Sequence, residues 1–284
     1  MSTRLTARTA LVGAAIGVAL LVVLWFFAFH VGVVRHADQS ILQGFYGLGE
    51  RGRVRSVANW IAHLCNPTPY IYLVWIPVAV ALLRRRPALA IAVVGILVGA
   101  NVTTEVLKSI TAVPRPLLIQ GSFPPIDAKS WPSGHATAAM SLALCCVLAA
   151  PGRWRPAIAA LGAAFTVAVV YSFLALGWHF PSDVLGGFLV AMTWTLAAVS
   201  GLLAVQERRA GSRGQAVRPP VASALRPPAA AVLAAILLAV GAVLARPHEV
   251  LGYARDHEAF IVGAVAIGVA ALALATGLML AVRR

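Results

Sequence analysis

Trp131-Pro132-Ser133-Gly134-His135 stands at the head of the apolar run ATAAMSLALCCVLAA (136–150). The run is greasy enough to enter a bilayer, yet the residues that open it are polar. A Lys and an Arg precede it, in Lys108-Ser109-Ile110-Thr111-Ala112-Val113-Pro114-Arg115-Pro116. A His and an Asp follow it, in His179-Phe180-Pro181-Ser182-Asp183. A chain that buries itself in hydrocarbon keeps such groups only where water, a partner or a ligand meets them.

Working outward, the whole chain has the same character. Of its 284 residues, 60% are hydrophobic and 11% charged, against about 25% charged in a soluble domain. Apolar runs fall at about 9–29, 67–83, 87–107, 134–150, 156–177, 184–204, 228–245 and 260–281. They predict an all-α, polytopic membrane helix bundle, because helices satisfy every backbone polar group internally. The first run resembles a signal peptide, but its core is long and no small-residue cleavage site follows, so it reads as an anchor. Residues 35–56 are polar. Val54, Val57, Trp60, Ile61 and Leu64 recur at helical spacing and predict an amphipathic helix on the membrane surface. Residues 109–132 form a Pro- and Gly-containing loop. Three regions follow: a six-span core over 1–204, an Arg- and Pro-rich linker over 205–227, and two further spans over 228–284 that look like an appendage.

The net charge of +14 does not imply a nucleic-acid partner. The basic residues sit in short clusters between apolar runs, which is a topology signal. With the N-terminus in the cytoplasm, segments 1–8, 84–86, 151–155, 205–227 and 283–284 face inward. They hold 14 of the 23 Lys and Arg, leaving 9 outside. The linker share is Arg208, Arg209, Arg213, Arg218 and Arg226. This orientation puts both termini in the cytoplasm, in a plasma membrane of bacterial type. It also brings all three polar patches to the extracytoplasmic face. Cys65, Cys145 and Cys146 have no metal or redox spacing, and no cofactor is implied.

The patches suit an anion. Lys108 and Arg115 supply cations, Arg with a planar fork that fits phosphate oxygens; snorkelling to the interface is the plainer reading of Lys108. Ser133-Gly134-His135 opens a helix, where free N–H groups and the dipole attract anions. Gly134 admits a close ligand, and Ser133 either caps the helix or donates to phosphate. His179 and Asp183 are one helical turn apart. A carboxylate on one imidazole nitrogen fixes the tautomer and leaves the other nitrogen nucleophilic. His179 would then attack phosphorus, and His135 would protonate the leaving oxygen. Glu105 is placed to pair with Lys108. Trp131 and Trp178 read most simply as interfacial aromatics.

These residues resemble the type 2 phosphatidic acid phosphatase superfamily, which also includes acid phosphatases and vanadium haloperoxidases. The family's K-x6-R-P is met by Lys108 through Arg115-Pro116, and its P-S-G-H by Pro132 to His135. Its S-R-x5-H-x3-D aligns with Ser172 through His179 to Asp183. The resemblance spans roughly 10–204. It implies a six-helix core and metal-independent dephosphorylation of a lipid phosphate or diphosphate. Polyprenyl diphosphate, phosphatidic acid and phosphatidylglycerol phosphate are the candidate substrates. It further implies His179 as nucleophile, His135 as general acid, Asp183 as the residue orienting His179, and Lys108, Arg115, Ser133 and Gly134 as phosphate ligands.

One position departs: Phe173 stands where the third motif has Arg. Losing one donor to a transition-state oxyanion costs about 3–4 kcal/mol. Lys129 is the cation nearest the second motif that would substitute. The departure supports one alternative, a catalytically weakened lipid-phosphate-binding protein; a lipid phosphotransferase, in which the phospho-histidine passes its phosphate to an acceptor other than water, is a second that nothing in the sequence separates from hydrolysis. A transporter fits less well, since no pair of broken mid-membrane helices is visible.

Overall fold

The computed structural model describes residues 5–119, 123–209 and 221–282. Arg4, the linker residues Arg213 and Arg218, and residues 283–284 lie outside them. The described residues form eleven helices: α1 (Ala7–His30), α2 (Gly32–Gly49), α3 (Gly52–His63), α4 (Pro67–Leu83), α5 (Pro87–Ile110), α6 (Gly134–Ala149), α7 (Arg155–Ala175), α8 (Pro181–Arg209), α9 (Val221–Ala245), α10 (Pro247–Asp256) and α11 (Glu258–Ala281). Every apolar run of the sequence is a helix. By length and composition α1, α5, α7, α8, α9 and α11 can each cross a membrane; α3 and α4 form a pair bent by 56° at the break between them.

α6 is the central post. Thirteen of its residues are buried, and α4, α5, α7, α8 and α11 all pack around it. A helix apolar on every side is one enclosed by others. Its 16 residues span only about 24 Å, short of a bilayer core of about 30 Å, so its polar N-terminus lies sunk among its neighbours. Thr104 of α5 donates to Thr137 of α6 at 3.0 Å. Thr137 in turn reaches back to the Ser133 carbonyl at 2.9 Å. α8 comes equally close: a Cβ on Gly187 would stand 2.7 Å from the Ser133 carbonyl oxygen. Small residues at such crossings let backbones approach where lipid provides no hydrophobic drive between helices.

α1 lies along α8, with Ser200 donating to the Ala7 carbonyl at 2.7 Å. The two C-terminal spans differ from each other. α9 is almost wholly exposed, whereas α11 packs against α7 and α2 and buries Ile267, Ala271, Ala275 and Met279. Arg155 at the start of α7 bonds the Val282 carbonyl, and Tyr171 near its end bonds the Ala264 carbonyl. α9 thus packs lightly, while α11 is built into the bundle.

The polar stretch 35–56 is largely helical: α2 occupies most of it and turns Asp38 and Gln39 inward. The linker is shorter than 205–227, because α8 runs to Arg209 and α9 begins at Val221. The expected amphipathic helix is α3. Its Ala58 and Ala62 are buried, and Val54, Val57 and Trp60 are exposed.

Candidate active site

The C-terminal ends of α5 and α7 and the N-terminal ends of α6 and α8 meet at one end of the bundle, and the described loop residues 111–119 and 123–133 fold over them. Gln39 of α2 pins that loop. Its amide donates to the Pro116 carbonyl at 2.9 Å and accepts from the Leu118 and Ile119 N–H groups at 2.7 and 3.1 Å. Thr111 ties the loop's two ends by donating to the Trp131 carbonyl at 3.1 Å.

His179 lies in the turn before α8. Its Nδ1 is 3.0 Å from the Ser130 carbonyl oxygen and 3.5 Å from Asp183 Oδ2. Both neighbours accept and neither donates, so Nδ1 carries the hydrogen and Nε2 keeps its lone pair. The loop carbonyl makes the close bond that sets the tautomer, and Asp183 adds charge from farther off. Asp183 is wholly buried and meets Arg115 Nη2 at 2.6 Å and the Phe180 N–H at 2.9 Å.

Arg115 is the hub of the polar cluster. Beyond Asp183, its guanidinium donates to Ser182 Oγ at 3.0 Å and Ser130 Oγ at 2.9 Å, and lies 3.6 Å from Asp38. The Phe180 and Phe29 rings flank it at 4.1 and 4.9 Å. Asp38 also accepts from the backbone N–H and the hydroxyl of Ser182. Burial pushes the Asp38 carboxyl up to about 6, against the pull of Arg115 and Ser182. Neither Asp38 nor Gln39 was picked out by the sequence reading. Each sits in a polar stretch with no motif, and the one available signal was the period of α2.

At the start of α6, Ser133 is buried. Its hydroxyl accepts from the Ala136 N–H at 3.3 Å, and its own N–H donates to the Asp183 carbonyl at 2.9 Å. Of the two roles weighed for Ser133, the cap is the one its hydroxyl performs here. Lys108 pairs with Glu105 at 2.7 Å, as expected, and a Cβ on Gly134 would lie 3.0 Å from the Lys108 ammonium. An ammonium, the positive end of a helix dipole and an imidazole thus converge on one spot. The Glu105 carboxylate pairs with that ammonium, and the helix start beside it favours a further anion. His135 presents Nε2 to Asn66 Oδ1 at 2.9 Å.

Phe173 fills the position where the resembled motif has Arg. It is fully buried, and its ring packs at 5.1 Å from His179 and 5.8 Å from His135. The two imidazoles are themselves 6.3 Å apart. Lys129, the cation weighed as the substitute for that Arg, is exposed and makes no ion pair among the described residues. Trp131, expected at the interface, is instead buried against Phe29 and Gly186. Trp178 is half-exposed and lies between His135 and His63.

Residues 88–209 match the model of the PAP2 superfamily. A protein of Sulfolobus acidocaldarius named undecaprenyl-diphosphatase is 33% identical over 144 residues, 49% of this chain. The match spans 65% of that relative's length. Among solved structures, the transmembrane PAP2-type phosphatidylglycerolphosphate phosphatase of Bacillus subtilis superposes with a TM-score of 0.53 at 23% identity. The superposition covers 70% of this chain and 98% of that one, and speaks to the fold.

Proposed function

On the premise that residues 88–209 are a PAP2 superfamily segment, we propose that this chain is a membrane phosphatase. It hydrolyses a lipid phosphate or diphosphate at the extracytoplasmic face, without a metal ion. The observation that carries the reading is the setting of His179: two acceptors face Nδ1, which places the hydrogen there and leaves the lone pair of Nε2 for nucleophilic attack. Nε2 attacks phosphorus and forms an N–P bond. The P–O bond to the lipid breaks, and the leaving oxygen takes a proton from His135. Water then attacks the phospho-histidine, its proton returns to His135, and inorganic phosphate leaves. Lys108 and the N–H groups at the start of α6 face the phosphoryl oxygens, where preorganised donors act most strongly on developing charge. The buried guanidinium of Arg115 adds positive potential and holds Asp183. The names of the relatives supply substrate candidates, polyprenyl diphosphate and phosphatidylglycerol phosphate, with phosphatidic acid beside them. The distribution of Lys and Arg supports the orientation.

A second reading rests on Phe173. With an apolar ring in place of a phosphate-holding cation, the fold would bind lipid phosphates and turn them over poorly. Phosphate release by the full chain in detergent, with EDTA present, separates the two. Release that survives EDTA and is abolished in His179→Ala supports the hydrolase. Absence of release from folded wild type on all three lipids, with binding retained, refutes it in favour of the binder.

A further inference from the structure

Asn66 precedes Pro67 at the start of α4, a position where an Asn side chain ordinarily caps its own helix. Here it makes no side-chain cap bond. Its amide turns away instead and meets His135 Nε2 at 2.9 Å. The bend between α3 and α4 delivers it there: its backbone N–H is held by the His63 carbonyl at 3.0 Å, and its carbonyl accepts from Tyr70 N–H at 2.9 Å. The segment lies outside the family-matched residues 88–209, so no motif assigns it a part in the chemistry.

We propose that Asn66 is the positioning residue of the general acid. The inference rests on the role given to His135 above. A helix N-terminus fixes the backbone of His135 but leaves its ring free to rotate. The bond from Asn66 holds the ring with Nε2 facing α4 and leaves Nδ1 as the atom that exchanges the proton with substrate. An amide suits both halves of the cycle. Its oxygen accepts from Nε2–H of the imidazolium, and after the proton is given up the same bond keeps the neutral ring in the Nε2–H tautomer. A carboxylate would favour the imidazolium too strongly, and an apolar side chain would hold neither state. Other ionisable groups face His135 as well: His179 from the turn before α8, Lys108 from α5 with its partner Glu105, and His63 from α3. Substitutions confined to Asn66 leave all of these in place.

The test uses the full chain in detergent, with wild type, Asn66→Asp and Asn66→Leu. The direct readout is the 15N spectrum of labelled histidines, with the His135 signals assigned by their loss in His135→Gln. Above its titration midpoint the wild-type ring is expected to show the Nε2–H tautomer. Asn66→Asp should move the His135 titration midpoint up by about one pH unit, the scale set by one adjacent opposite charge, and carry the alkaline limb of the rate profile with it. Asn66→Leu should lower kcat by about tenfold to a hundredfold, within the range general-acid catalysis supplies, with KM little changed. A merely structural role would lower thermal stability in both variants and leave tautomer, midpoint and limb where they are; that result overturns the proposal. If the NMR midpoint moves but no lipid phosphate is hydrolysed by wild type, the positioning stands and the phosphatase reading fails.

Discussion

Arg115→Met removes the charge at the centre of the cluster while keeping an unbranched side chain between Phe29 and Phe180. In the native chain the guanidinium is 5% exposed and serves Asp183 at 2.6 Å, Asp38 at 3.6 Å, and the hydroxyls of Ser130 and Ser182. Methionine satisfies none of them. Two buried carboxylates would face each other without a counter-charge. Breaking a buried pair in this way costs about 3–5 kcal/mol, which corresponds to roughly 6–20 °C of thermal midpoint at 2–4 °C per kcal/mol. Adding Asp38→Asn removes one of the stranded charges, so the double variant should recover about 1 kcal/mol or more relative to the sum of the singles. Arg115→Lys should fall between, because a point charge cannot bridge Asp183 and both hydroxyls together. The measurement is thermal unfolding in detergent at pH 7.5 without phosphate. An Arg115→Met protein as stable as wild type, or strict additivity with Asp38→Asn, would refute the keystone role.

Asp38 sets a pH dependence whose sign can be worked out. Its carboxyl rises from 3.8 to about 6 on folding, so the native state favours the protonated form; that stability is complete below 3.8 and is lost as pH rises through about 6. The loss is on the order of 3 kcal/mol, and urea unfolding from pH 4 to 7.5 should show it in wild type and not in Asp38→Asn. Phe173→Ala should cost about 3–5 kcal/mol through the cavity it opens between His135 and His179, read as a lowered midpoint. Phe173→Arg should unfold earlier than wild type without phosphate, and 10 mM inorganic phosphate should raise its midpoint more than it raises that of wild type. Gly49→Leu should loosen the site from a distance, since any Cβ at that position strikes the Ala175 carbonyl; slower phosphate release and a lowered midpoint are the readouts.

Some of this molecule was legible in the chain, and the reason is physical. A bilayer admits few backbone solutions, so each apolar run had to be a helix. Ionisable groups at the ends of such runs are too costly to be ornamental, which singled out Lys108, Arg115, His135, His179 and Asp183 before any coordinates. Glu105 was readable from its spacing to Lys108. Trp131 was misread because an aromatic beside a polar motif looks the same whether it meets headgroups or, as here, the inner face of Gly186.

What stayed illegible comes from residues whose meaning depends on where a distant backbone places them. Asp38 and Gln39 lie in a stretch where polar residues are expected, so neither carries the surprise that a charge inside hydrocarbon does. Their significance appears only when α2 sets one against Arg115 and the other against the loop 116–119. The carbonyl of Ser130 is still less visible, because every residue has one. Yet it makes the closest bond to His179 Nδ1, so the tautomer that the chemistry requires is held by a loop backbone. That loop is fastened by Gln39 from outside the motifs. Sequence motifs therefore name the groups of the proposed chemistry, while the groups that decide which proton sits on which nitrogen are supplied by packing. A Gln39→Leu chain is the sharp case. All three motifs would be intact, and the expected outcome is a fall in kcat of about tenfold or more, with the His179 15N signals no longer those of a single Nδ1–H tautomer. If that single tautomer persisted with the loop unpinned, Asp183 alone would suffice and the carbonyl would be incidental.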